Sequence, residues 1–181
     1  MTIAESDLLQ DTLSECGSII AGVSTDQSSL PTPCTEFTVE QLVSHLVGWA
    51  ISFAGRLTGE PSDADPNAYQ AGVHPDAEFD RAARVIVQAY LSDLAPTREM
   101  PVGFLLMEYV THGWDLATAT GQAVHFSEEA ADSGLAVGRS MLKPEYRGPG
   151  QAFGEEVHTS HDDNAVERLV AFLGRDPHWA P

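Results

Sequence analysis

Apolar residues recur at intervals of three and four along most of this chain, and clusters of proline and glycine divide the periodic stretches into six helical segments. Leu8, Leu9, Leu13, Cys16, Ile20 and Val23 predict a first helix from about Ser6 to Ser24, with Cys16 on its apolar face. A loop through Pro31 and Pro33 leads to Thr38-Val-Glu-Gln41, a capping box in which Thr38 accepts from the first turn and Gln41 reaches back. The helix that starts there runs to about Leu57 and buries Val39, Leu42, Val43, Leu46, Val47, Ala50, Phe53 and Ala54. Thr58 to Asp76 carries Pro61, Pro66 and Pro75 with several Asp, which predicts a long surface loop suited to the rim or lid of a site. Phe79, Ala82, Ala83, Ile86 and Tyr90 mark a third helix, bounded by Pro96. The fourth, Phe104 to Thr120, is the most apolar and therefore central, and Gly121 closes it in the position that favours a left-handed residue. A fifth helix covers about Ser127 to Leu142 and a short last one about Asn164 to Leu173, while Ala152 to Val157 has room for short strands. The pattern predicts an all-α bundle over residues 1–142, with a small extension over 143–181 packed on it as part of a single domain.

Composition removes several functions. Hydrophobic residues are 43% and charged residues 20% of the 181, a balance that fills a core and does not belong to a disordered chain. Asp and Glu number 27 against 9 Lys and Arg, a formal charge of −18. Such a surface repels phosphates over a screened range of about 10 Å, so neither nucleic acid nor an anionic membrane is an expected partner. Small molecules and metal cations remain. The start, Met1 to Asp7, lacks the basic and apolar regions of a signal peptide, and no apolar run reaches membrane length, so a cytoplasmic location is expected. The 2 cysteines, Cys16 and Cys34, make neither a disulfide framework nor a cysteine-based zinc ribbon. A metal site here must use histidine and carboxylate.

Such residues fall together on the fourth helix. Glu108, His112 and Asp115 are spaced four and then three apart, which at about 100° per residue sets them on one stripe roughly 60° wide. A merely wet helix face mixes charges of both signs, yet no Lys or Arg occurs between Arg98 and Arg139. His45 lies on the second helix at the border of its apolar face, beside Trp49. In a bundle, ligands converge inward from neighbouring helices, so the Glu108/His112 pair plus His45 supplies three donors. Two histidines and one carboxylate with open positions hold catalytic zinc, and also non-haem iron. Cys34 precedes the second helix, where a helix dipole lowers a thiol pKa, but Glu36 and Glu40 oppose that and a structural loop cysteine is expected. His158, His161, Asp162 and Asp163 offer a second set of ligand types; Asp162, Asp163 and Asn164 suit the cap of the last helix better, and the histidines are expected to be exposed.

Three stretches resemble a known family: Pro31-Thr-Pro-Cys-Thr-Glu-Phe-Thr-Val-Glu-Gln-Leu-Val-Ser-His45-Leu-Val-Gly48; Glu108-Tyr-Val-Thr-His112-Gly-Trp-Asp-Leu-Ala117 with Ala119-Thr-Gly121; and Phe153-Gly-Glu-Glu-Val157 with Leu173-Gly-Arg-Asp-Pro177. They are similar to the DinB-like metal-binding group of actinobacteria, related to the N-terminal domain of mycothiol-dependent maleylpyruvate isomerase. The resemblance implies a DinB-like four-helix bundle, with His45, Glu108 and His112 as metal ligands, Asp115 behind them, and mycothiol as thiol cosubstrate. The isomerase carries a further C-terminal domain that this chain has no room for, so isomerisation of maleylpyruvate itself is not expected.

The expected function is that of a divalent-metal protein, with zinc as the metal. The metal would activate mycothiol, or another low-molecular-weight thiol, for transfer to or isomerisation of a small electrophilic substrate. Asp115 is the candidate catalytic residue, orienting His112 or a bound water. The same residues also suit a metal-dependent hydrolase, or a metal- or ligand-binding module without catalysis.

Overall fold

Thr38 opens the second helix as a capping box: its Oγ1 accepts from the Gln41 amide at 3.4 Å, and Gln41 Oε1 accepts from the Thr38 amide at 2.9 Å. A computed structural model describes residues 3–92, 99–148, 153–160 and 163–180. Its helices are α1 (Ile3–Ala21), α2 (Val39–Thr58), α3 (Pro75–Leu91), α4 (Val102–Thr120), α5 (Glu128–Met141) and α6 (Ala165–Phe172). The local signals that start and stop them are the expected ones. Ser127 caps α5 by accepting from Ala130, Asn164 and Glu167 form a capping box on α6, and Gly121 ends α4 at φ +70°. Pro75 sits in the first turn of α3, where its missing N–H costs nothing.

The first four helices make the bundle: α3 packs on α1 and α2, and α4 on α1 and α2. α5 lies along α4, and α6 against α5 and α4. The central place of α4 follows from its composition, since Leu105, Leu106, Tyr109, Val110, Leu116 and Ala117 are fully buried around most of its circumference. Tyr109 meets Phe53 of α2 and Phe79 of α3 edge-on, with ring centroids 6.4 and 5.7 Å away. Burying a side chain of that size contributes about 1.5–3 kcal/mol, so these rings fix how α2, α3 and α4 meet. No helix among the described residues is long and apolar enough to cross a membrane.

Two expectations change. α1 begins at Ile3 and not near Ser6. The strands expected over Ala152 to Val157 reduce, among the described residues, to one isolated bridge between Arg147 and Phe153; Ala152 lies outside those residues. Phe153 and Val157 pair with the backbone of Tyr146, Gly148 and Ala171, and a side chain adds to these bonds. Arg147 donates from Nη1 to the carbonyls of Gly154 (3.1 Å) and Phe172 (2.7 Å), and its guanidinium lies 4.5 Å from the Phe172 ring centroid.

Two segments of the extension then cross at glycine. Gly174 has φ +88°, and a Cβ there would stand 2.6 Å from Gly154 Cα, so only a residue without a side chain permits the crossing. Phe153 and Arg175, each the chain neighbour of a crossing glycine, are thereby carried to the cleft between α2 and α4.

Candidate metal centre

His45 on α2 faces Glu108 and His112 on α4. His45 Nε2 lies 3.2 Å from Glu108 Oε1, and His112 Nε2 lies 3.8 Å from the same oxygen. One donor atom from each of the three residues falls within 4.8 Å of the others. The side chains of His45, Glu108 and His112 keep 11%, 18% and 12% exposure, which is enough for one face of the group to reach the cleft. The two imidazole centroids are 4.8 Å apart, and Phe37 covers them, its ring 4.8 Å from His45 and 6.4 Å from His112.

Behind His112 stands a second layer. Its Nδ1 is 3.0 Å from Asp115 Oδ2, a fully buried carboxylate, so Nδ1 donates to Asp115 and Nε2 is the ring nitrogen on the Glu108 side. Asp115 also accepts from Arg175, at 3.2 Å from Nη2 and 3.5 Å from Nε, and Arg175 Nη1 donates to the Leu173 carbonyl at 2.9 Å. Burial works against the Arg175 charge, but the groups around it, Asp115 first among them, together more than offset burial and keep the guanidinium charged. His45 has no such support: its Nδ1 is buried without a hydrogen-bond partner among the described residues. Burial alone raises the Glu108 carboxyl, yet His112, the hydrogen bond with His45 and Arg175 together bring it below the ordinary carboxylate value, so it is anionic at neutral pH.

The cleft in front of this group has a volume of about 450 Å³. The loop expected to form a rim does so through its 3-10 turn Pro66–Ala68, where Asn67 Oδ1 accepts from the Trp49 indole at 3.0 Å. Gly48, one turn from His45, makes this possible, since a Cβ there would strike the Pro66 carbonyl and stand 2.7 Å from Tyr69 Cβ.

Several residues that line the cleft carry no site role in the sequence pattern, among them Cys34, Phe37, Phe104, Phe153 and Arg175. The tight turn after Pro31, with the Phe37 amide donating to the Cys34 carbonyl at 3.0 Å, brings Cys34 Sγ within 4.8 Å of ligand-type atoms of His112 and Asp115. Asp115 is already matched by Arg175, so this second grouping offers a cation no free carboxylate. Burial pushes the Cys34 thiol up to about 11, with Arg175 opposing and Asp115 adding to the effect. It is a neutral thiol at pH 7. In metal-free protein, alkylation of Cys34 by iodoacetamide, followed by mass spectrometry, is expected to be slow at pH 7 and to rise about tenfold per pH unit through pH 9. A plateau below pH 8 would contradict the buried-thiol assignment.

Of the second ligand set, His158 is exposed and Asp163 closes a turn by accepting from Ser160 N at 2.7 Å. Asn164 caps α6. His161 and Asp162 lie outside the described residues.

Comparison with known proteins agrees with the fold. The profile of the mycothiol maleylpyruvate isomerase N-terminal domain matches residues 9–100, just over half of the chain, and the chain belongs to that family. The match includes His45 and ends before Glu108. Two uncharacterized proteins of Mycobacterium tuberculosis, MT0763 of strain CDC 1551 / Oshkosh and Rv0738 of strain H37Rv, are each 32% identical over 166 residues. Those alignments cover 87% of this chain and 90% of each relative. No solved structure matches. The architecture is an all-α DinB-like bundle closed by a short C-terminal helix.

Proposed function

We propose that His45, Glu108 and His112 hold one divalent ion, zinc, and that the protein uses it with mycothiol to act on a small electrophile by thiol transfer or isomerisation. The observation that carries this reading is the convergence of two imidazoles and one carboxylate within 4.8 Å on the wall of an open cleft. That donor set, with room left for another ligand, is the one that suits catalytic zinc. Two further features fit a cation. Glu108 is held ionised, and the bond from His112 Nδ1 to Asp115 leaves Nε2 on the Glu108 side. The family's name supports mycothiol as the thiol.

When bound, such an ion supplies a Lewis acid that favours the deprotonated form of a thiol. The side chains do the rest. Glu108 gives the site its anionic ligand, Asp115 fixes the ring and proton of His112, and Arg175 neutralises Asp115 so that it does not compete for the cation. Phe37 shields the imidazoles from water on one side. The thiol reading is favoured over hydrolysis because both carboxylates next to the histidines are engaged, Glu108 with the histidines and Asp115 with His112 and Arg175, which leaves neither free to act as general base.

The test is a titration of mycothiol into cobalt-substituted protein, with glutathione and bacillithiol as controls. A sulfur-to-cobalt charge-transfer band with mycothiol is expected, and it should survive Cys34→Ser. The absence of a band with any of the three thiols would contradict thiol activation.

A further inference from the structure

The cleft beyond the histidines is walled by rings: Phe37, Trp49, Phe53, Phe104 and Phe153 all line it. The rings brace one another. Trp49 and Phe53 lie 5.1 Å apart by centroid, and Phe53 meets Phe104 edge-on at 5.9 Å. Trp49 is also held by Asn67 at one edge, and its ring has the Arg56 guanidinium 5.6 Å from the centroid. A wall of rings fixed in this way is a preformed apolar slot, and its volume of about 450 Å³ is within the range of small-molecule sites.

Charge in the cleft is nearly all committed. Among the described residues that line it, Arg175 is the one Lys or Arg, and Asp115 already holds it. The carboxylates are Glu108 in the site and Glu36 at the exposed rim. With a dication present, Glu108 cancels one of its charges and a thiolate the other. The second reactant therefore enters a space with aromatic walls, Glu36 as its one unmatched charge, and no spare Lys or Arg among the described residues that line it. A carboxylate on that reactant would be buried unpaired beside Glu36 and Glu108, which is costly.

We infer that the electrophile is an uncharged, flat, apolar molecule, an arene or a conjugated carbonyl compound, and that carboxylates are rejected. A dicarboxylate such as maleylpyruvate finds no partner for its charges here. The description of the second reactant as an electrophile rests on the proposed thiol chemistry, whereas the selection against negative charge rests on the cleft wall alone.

The experiment uses a matched pair of unreactive probes, 1,3-dinitrobenzene and 3,5-dinitrobenzoate, which differ by one carboxylate. Each is titrated calorimetrically into metal-free protein and into zinc-loaded protein saturated with mycothiol. The neutral probe is expected to bind at least about tenfold more tightly in both forms, since like charges brought together in a buried site oppose binding strongly. Phe153→Ala should weaken the neutral probe, and Asn67→Arg should narrow or reverse the discrimination by supplying the missing cation. Equal or tighter binding of the benzoate by metal-free protein, or no effect of Phe153→Ala, would overturn the inference. Failure to take up zinc would instead count against the metal reading, and the metal-free comparison would still decide this one.

Discussion

Glu108→Ala is expected to purify without its divalent ion and to lose thiol binding with it. Glu108 is the single anionic donor of the group, and its Oε1 is the atom both histidines approach, at 3.2 and 3.8 Å. Removing it takes away charge neutralisation and the centre of the cluster together. Loss of a residue that only supports a ligand lowers metal affinity about 10–100-fold, so loss of the charged ligand should exceed about 100-fold. Competition against a chelator measures this. Glu108→Gln keeps the volume of the side chain and should show a comparable loss with an unchanged melting temperature, which separates ligation from folding. A variant of either kind that binds metal as the parent does would rule Glu108 out as a ligand.

The second large effect concerns Asp115. Asp115→Ala leaves the Arg175 guanidinium, 9% exposed, without its partner, and frees His112 Nδ1. Breaking a buried ion pair by removing one member costs about 3–5 kcal/mol, because the remaining charge is stranded. Urea unfolding should show a destabilisation of that size, and metal affinity should fall about 10–100-fold as His112 loses its orientation. The pair Asp115→Leu with Arg175→Met tests the two roles separately. It removes both charges and should recover most of the stability, but it cannot restore the bond to His112, so metal affinity should stay low. If affinity recovered along with stability, Asp115 would have no role in orienting His112.

How much of this was visible in the chain itself depended on the range of the interaction. Helix positions follow from periodicity and from caps such as Thr38 with Gln41 and Gly121, all of which act over a few residues, and α2 and the end of α4 stand where these signals put them, whereas α1, Ile3–Ala21, lies about three residues earlier than its periodicity predicts. The Glu108, His112 and Asp115 stripe was legible for the same reason, since helical geometry alone sets those side chains on one face. His45 joins them because bundle ligands point inward. Arg175 was not legible: it reaches Asp115 across 60 residues, from a segment without periodicity, by way of a crossing of Gly154 and Gly174. The signal was present in Leu173-Gly-Arg-Asp-Pro177, a basic residue after a glycine in a very acidic chain, but nothing local says which carboxylate it meets. The sequence neighbours of Cys34 include no histidine, whereas the fold brings it to His112 from 78 positions away.

Elemental analysis of purified protein tests the central claim most directly, carried out beside His45→Ala and His112→Ala. One divalent ion per chain is expected in the parent, with occupancy lost in both variants. A parent with no divalent ion after incubation with zinc, or full occupancy in both variants, would contradict the assignment of His45, Glu108 and His112 as a metal site.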